Sequence, residues 1–360
     1  MAVIAALDAK SDLTGVALGG VINEDVMQAI WDVSRIPLPF TDRVGTGRVT
    51  AAQYDWVTDK LAAAKSNAWV ETANFLPAGA EAAPADYIDS ATPPTVRYRN
   101  HIQISVKGIS VSEMADSVSS VGGSGGLEYN LMVAQQEIKR DIEFHALGNY
   151  ASVVGNGTTT APITAGYAAA CKDQTVPTRN LVDTAGTEGG WGGSLFAAYT
   201  PGTKRAITET MLRNMAQALY SGGCGGPEQS LTLMAAPTIK RTISQYMYTS
   251  SARISQLVKD VGSATSAVAQ GSVEVFITDF GILEMVPNRF QGDLGTNQYG
   301  VYIFDPAYFE LVYLKGVNTT ANAKIGLVDR RTVNAYWGTR FNPECMGFIA
   351  DIDDAATMTA

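Results

Sequence analysis

HIQISVKGISVSEMADSV at 101–118, SSVGGSGG at 119–126 and LEYNLMVAQQEIKRDIEFHALGN at 127–149 set a strand pattern, a breaker cluster and the longest helical pattern of the chain in succession. From 98 to 111 apolar and polar residues alternate, with Ile102, Ile104 and Val106 on one side, which predicts a strand half-covered by a core. From 127 to 149 the apolar period is close to that of a helix. Leu127, Leu131, Ala134, Ile138, Ile142 and His145 form one stripe, and Tyr129, Val133, Phe144 and Leu147 a second on the opposite side. The pattern predicts a rod of about six turns at ~1.5 Å per residue, covered on two sides. Glu137, Lys139, Asp141 and Glu143 fall between the stripes.

Upstream, 51–60 alternates as a strand and is separated from 98–111 by a stretch rich in Ala, Pro and Asp at 77–94. Together they read as an extended hairpin with little core of its own. The first 50 residues read as an arm. Val26, Ile30 and Val33 share a helical face there, stopped by Pro37 and Pro39. Downstream, 155–204 is rich in Gly and Thr without a clean period and reads as long loops with short pieces of structure. A helix then opens at the N-cap Thr208, runs Met211, Met215 and Leu219 along one face, and stops at Gly222 and Gly223. A short strand (231–234) follows, and then a helix opened by Pro237 with Ile239, Ile243 and Tyr246 inward. Strands at 273–279, 282–286, 301–305 and 309–314 complete an α+β unit over 205–317. The tail adds strands at 324–336 and 345–352 that must pair with something earlier, so the chain leaves one domain, builds a second and returns.

The length of 360 residues suggests about two domains at ~150 residues each. Charged residues make up only 17%, against roughly 25% in an ordinary soluble domain. A net charge of −9 without a Lys/Arg run argues against a protein that wraps nucleic acid. The opening MAVIAALDAKSD lacks the basic region and apolar core of a signal peptide, and no stretch reaches ~18 uncharged apolar residues. The chain is therefore expected to fold where it is made, without a membrane. Cys171, Cys224 and Cys345 are odd in number and far apart, which suits buried thiols in a reducing compartment better than a disulfide framework.

Candidate chemistry is sparse. Residues 122–126 match G-x-S-x-G around Ser124 before a helix, but the only later histidine, His145, lies at the far end of that helix, beyond hydrogen-bonding reach. Asp279, Phe280 and Gly281 spell a kinase magnesium triplet with no other part of that machinery, and read as a tight turn between strands. His101 and His145 have no metal partner nearby in sequence. Asp351, Asp353 and Asp354 lack the Gly and distal Glu of a calcium loop and read as a solvated tail. No catalytic, cofactor-binding or metal-binding residue is assigned, and no cofactor.

Read together, the segments resemble tailed-bacteriophage major capsid proteins of the Hong Kong 97-type fold. The likeness runs through GVINEDVMQAIWDVSRIPLPFTDRVGTGRVTAAQYDWVTDKLAAAKSNAWVE at 20–71, the strand and helix at 101–118 and 128–149, VEVFITDFGILEMVPNRF at 273–290, VYIFDPAYFELVYL at 301–314 and RTVNAYWGTRFNPECMGFI at 331–349. Glu113, where a small residue is typical, and Thr72, where Gly is common, depart from the family pattern. The resemblance implies an α+β subunit with an N-terminal arm (1–50), an extended loop (51–110) and a peripheral domain (111–204) carrying the spine helix 127–149. It further implies an axial domain (205–317) and return strands with a C-terminal tail (318–360). Gly122 to Gly126 would form a hinge.

By the same resemblance the chain assembles with itself into hexamers and pentamers of an icosahedral shell around the double-stranded DNA of a tailed phage. It would be made in the bacterial host cytoplasm and end in the virion, with portal, scaffolding and decoration proteins as partners, DNA enclosed non-specifically, and no enzymatic activity. A nanocompartment shell of the same fold, similar to encapsulins, is the runner-up, and a serine hydrolase using Ser124 is the remote alternative.

Overall fold

In the computed structural model, which describes residues 38–59, 95–117, 126–171, 180–181, 185–226, 228–249, 274–292, 294, 298–356 and 358, two sheets are joined by two adjacent strands running from one into the other. In chain order the elements are β1 (Gly45–Arg48), β2 (Gln53–Thr58), β3 (Val96–His101), β4 (Gln103–Ser112), α1 (Glu113–Ser117), α2 (Leu127–Ala146), α3 (Tyr167–Ala170), β5 (Asn180–Leu181), β6 (Gly190–Trp191) and β7 (Phe196–Ala197). There follow α4 (Glu209–Ser221), β8 (Ser230–Ala235), α5 (Pro237–Thr249), β9 (Val275–Thr278), β10 (Gly281–Pro287), β11 (Gln298–Phe304), β12 (Phe309–Ala321), β13 (Val328–Phe341) and β14 (Met346–Asp353). One sheet has the order β1-β12-β13-β4 and the other β5-β14-β11-β8-β10-β9, while β2 and β3 form a separate hairpin.

The crossing between sheets is made twice, side by side. β11 continues into β12 through a 3-10 turn at Pro306–Tyr308, and β13 continues into β14 through one at Pro343–Cys345. Each turn opens on an Asx-Pro pair, because the Asx side chain accepts the amide two residues on and Pro pre-sets the first turn residue. Asp305 accepts the Ala307 N–H at 3.0 Å, and Asn342 accepts that of Glu344 at 3.2 Å. The Asn342 N–H in turn donates to the Tyr308 carbonyl at 3.0 Å. The tail strands thus find their earlier partners: β13 pairs with β12 and β4, and β14 with β11 and β5.

Each sheet has its own core. α2 lays Ala134, Ile138, Ile142 and Ala146 into a cluster with Tyr98, Val333, Ala335 and Trp337, which continues through Tyr302, Phe304, Phe309 and Phe348 at the crossing. On the other sheet, α4 and α5 bury Leu212, Met215, Leu219, Ile239 and Ile243 against Leu231, Leu283, Val301 and Ile349. α4 begins and ends where its sequence signals stand: Thr208 accepts the Met211 N–H at 3.1 Å and Gly222 is the C-cap.

Several expectations are corrected. The spine helix ends at Ala146 rather than 149, since the Asn149 side chain is taken up by the Tyr199 backbone, donating to its carbonyl at 2.7 Å and accepting its amide at 3.0 Å. Of its second stripe only Leu147, just past the helix end, is buried, while Phe144 is exposed and Tyr129 and Val133 are half-buried. The strand at 98–111 is two strands broken at Ile102, and Ile104 and Val106 point away from the helix. On the helix side, Ser105 accepts the Trp337 indole N–H at 2.9 Å, and Lys107 pairs with Asp141 at 2.9 Å and Glu137 at 3.6 Å. Polar residues with partners can thus occupy the inner face, and alternation alone does not say which face that is.

Cys224 and Cys345 are joined by a disulfide, with Cα atoms 5.2 Å apart, where three buried thiols were expected. Folding brings together residues separated by 121 positions, a proximity invisible in spacing. Cys171 keeps its thiol, which donates to the Met346 carbonyl at 3.3 Å. Asp351 is buried rather than solvated. It sits at a register shift between β11 and β14 with φ +61°, and its carboxylate accepts the Gly202 N–H at 3.0 Å.

Glu143, expected between the stripes, is fully buried. It accepts the amides of Phe40 at 3.1 Å and Thr41 at 3.2 Å and the Asn288 side-chain amide at 2.7 Å. Beside it the Phe40 ring packs edge-on against Phe304 and Phe309, with centroids 5.6 and 5.0 Å away.

Replacing Glu143 by Ala strands these buried donors and is expected to cost about 2–4 kcal/mol in urea unfolding of the subunit. Ile138→Ala, which opens a cavity under α2, is expected to cost about 2–5 kcal/mol in the same assay. Burial raises the Glu143 carboxyl above its ordinary value, with the Phe40 and Thr41 amides pulling the other way. The folded state therefore binds this proton more tightly than the unfolded chain. The group's contribution is complete below the ordinary value of 4.5 and is lost as pH rises through the raised one. Glu143→Gln should give an unfolding free energy that changes less than that of the wild type as pH rises above 4.5; an unchanged slope would contradict this assignment.

Candidate functional site

The residues flagged for chemistry do not come together. Ser124 and the glycines at 122–125 lie outside the described residues. His145 sits in the last turn of α2, where its Nε2 is 3.0 Å from the Thr164 carbonyl and its ring stacks on Tyr150 at 4.1 Å. Burial lowers its proton affinity. His101 is at the hairpin base with Nδ1 3.3 Å from the Ser152 hydroxyl, also lowered by burial. Asp279 and Phe280 form the turn between β9 and β10, closed by the Thr278 hydroxyl donating to the Gly281 carbonyl at 2.7 Å. Among the described residues no three of His, Cys, Asp and Glu stand together as metal ligands would.

What the structure does build is a set of docked and undocked surfaces. Among the described residues the β2–β3 hairpin, with Trp56 opposite Tyr98 and Tyr54 opposite Asn100, is fastened to the end of β13. The Tyr54 hydroxyl donates to the Thr339 carbonyl at 2.6 Å, the Trp56 indole to that of Phe341 at 2.8 Å and the Asn100 amide to that of Thr339 at 3.0 Å. Burial pushes the Tyr54 phenol well above its ordinary range. Position 338 has to be glycine for this, because a Cβ there would lie 2.5 Å from the Tyr54 oxygen. The Trp56 ring is set among Tyr98, Phe196 and Phe341, at 5.9, 6.2 and 5.5 Å between centroids. Phe196 and Thr164 come from 155–204, expected to be long loops with short pieces of structure, and Ser152 lies just before it. Nothing periodic marks them, and only the fold brings them to the hairpin base.

Beyond this base the four-stranded sheet has an apolar outer face. Val312, Ile102 and Tyr54 are buried at its near end, with Leu314 and Tyr336 half-buried beside them. The face then runs uncovered to Ile104 and Val106, 45% and 54% exposed, with Ile104 opposite Tyr336 in register. A second apolar group stands at the tip of the β12–β13 hairpin: Leu327 is 72% and Met114, on α1, 79% exposed, with Ile325 close by in sequence. The tip is held by the Glu113 N–H donating to the Leu327 carbonyl at 2.9 Å and by Lys324 paired with Glu113 and Asp329, each at 3.1 Å. Glu113, the departure from the family pattern, has a partner here.

Elsewhere on the described surface several charges are paired within the chain. Asp55 is paired with Arg97 and Arg99, and the Arg99 hydrogen bond leads in holding its carboxyl below the usual value. Glu310 pairs with Arg340, and Glu284 with Arg43 at 2.7 Å. Isolated exposed apolar side chains are ordinary, whereas grouped ones rimmed by paired charges suit a protein partner.

A family model described as SU10 major capsid protein matches residues 9–353. No curated protein matches the sequence. Among solved structures the chain is similar to the capsid of cyanophage A-1(L), at 10% identity over 94% of this chain and 99% of that one with a TM-score of 0.58. It is also similar to the capsid of cyanophage Pam1, at 14% identity over 93% and 97% with a TM-score of 0.55. The encapsulin of the holo-SrpI complex from Synechococcus elongatus matches at 10% identity over 96% and 98%, with a TM-score of 0.53. At such identities the likeness is one of fold, the Hong Kong 97-type fold. With the family match spanning nearly every element described above, the chain belongs to the SU10 major capsid protein family.

Proposed function

We propose that this major capsid protein of a tailed phage joins copies of itself, as hexamers and pentamers, into a closed icosahedral shell around double-stranded DNA. The observation that carries this reading is the pair of exposed apolar groups, Ile104 with Val106 on the outer sheet face and Met114 with Leu327 at the tip of the β12–β13 hairpin. A two-stranded projection is marginal alone and is stabilised by packing on a neighbour. Heterologous contacts of this kind close into rings. In this reading 1–50 is the arm, 51–110 the extended loop, 111–204 the peripheral domain, 205–317 the axial domain and 318–360 the return strands. The arm and loop lie over adjacent subunits.

The subunit works by assembly and catalyses no reaction. Its net charge of −9 suits a container that holds DNA without gripping it. Assembly takes place in the host cytoplasm, with portal, scaffolding and decoration proteins as partners. The likeness to an encapsulin favours a second reading, a shell that carries a cargo enzyme. Nuclease-protected DNA inside purified particles supports the first reading, and a co-purifying enzyme without DNA supports the second.

The double variant Ile104→Lys, Val106→Lys is expected to unfold within about 0.5 kcal/mol of the wild type, both sites being exposed. Its shell yield by electron microscopy is expected to fall more than about tenfold, a loss of only ~1.4 kcal/mol per contact. Removal of residues 75–92 should likewise abolish normal particles. Normal shells from either variant would contradict the assignment of these surfaces to subunit contacts.

A further inference from the structure

Both strand continuations between the two sheets pass through the paired turns Pro306–Tyr308 and Pro343–Cys345, so a change in the sheets' mutual angle has to bend the backbone there. Cys345 is the last residue of one of these turns. Its disulfide partner Cys224 lies just past the C-cap of α4, where its N–H donates to the Leu219 carbonyl at 3.0 Å. The bond therefore ties the crossing to the end of a helix packed on the six-stranded sheet. It closes a span of 121 residues with no other covalent link among the described residues.

Resting on the reading of the chain as a shell subunit made in the cytoplasm, we propose that the Cys224–Cys345 bond is a modification made after assembly, which fixes the crossing once the shell has left the cell. Cytoplasmic thiols are kept reduced, so the bond is not expected during subunit synthesis. After lysis the medium is oxidising. A thiolate at Cys224, the more exposed of the two, attacks a small-molecule disulfide, forming a mixed disulfide and releasing one thiol. Cys345 as thiolate then displaces the second thiol. Overall the two cysteines lose two electrons and two protons, and the small disulfide takes them up as two thiols. Both sulfurs belong to buried residues, 5% and 1% exposed, which slows exchange in each direction and preserves the bond once made. Cys171, whose thiol is committed to the Met346 carbonyl, serves as the internal control.

The test expresses the full chain in bacteria and divides the culture. One half is quenched with N-ethylmaleimide under denaturing conditions before lysis, and the other is lysed into oxidised glutathione and quenched after particles are purified. Alkylated cysteines are then counted by mass spectrometry. The expected result is three alkylated cysteines in the cells, only Cys171 alkylated in released shells, and shells that dissociate in urea roughly tenfold more slowly than the same shells treated with reductant. Cys345→Ser and Cys224→Ser shells should both behave as the reduced wild type, and the reductant comparison stands even where a variant fails to fold. A bond already closed in quenched cells, a bond still open in released shells, or equal dissociation rates with and without reductant would overturn the proposal. Micrographs without shells would overturn the shell reading itself, and this proposal with it.

Discussion

A carboxylate shut away from water has to be given donors, and Glu143 takes three from two distant parts of the chain. The amides of Phe40 and Thr41 bring the end of the N-terminal segment onto the spine helix, and the Asn288 side chain brings in the residue that follows β10 of the six-stranded sheet. Around that point the other placements follow. Phe40 fills the space between Phe304 and Phe309, β1 falls into parallel register with β12, and Arg43 reaches Glu284 on β10. An uncompensated charge in this position would be costly, so the three parts are held together or not at all.

The second constraint is the double crossing. Because β11–β12 and β13–β14 run as neighbours through both sheets, the long β12–β13 ribbon is carried out from the six-stranded sheet with its tip in solvent. The outer sheet face and the tip are thereby left for other molecules. The low charge content of 17% acquires a reason from this: a subunit that gives much of its surface to copies of itself has less solvent-facing area to charge, and interface cores are depleted in charge.

Much of this was legible in the sequence because it is written locally. Thr208 and Gly222 bound α4, Pro237 opens α5, and the alternation of the tail produces β13 and β14 close to where it was read. What could not be read depends on partners supplied by the fold. Glu143 looks like a solvated charge until two backbone amides arrive from a hundred residues away. Ser105 and Lys107 look like the outer face of a strand until Trp337, Glu137 and Asp141 pair with them. Asn149 looks like helix until the Tyr199 backbone claims it. The hairpin base was the least legible part, since Thr164 and Phe196 sit in a segment with no period and Ser152 just before it. The colinear resemblance to capsid proteins was legible because it drew on many modest strings across the whole chain.

An electron cryomicroscopy map of particles assembled from the wild-type chain decides whether the exposed faces belong to neighbouring copies. Closed polyhedral shells are expected, in which protein density from an adjacent subunit covers Ile104 and Val106. Closed shells with that face open to solvent, or a monodisperse 38.1 kDa monomer at high concentration, would contradict this expectation.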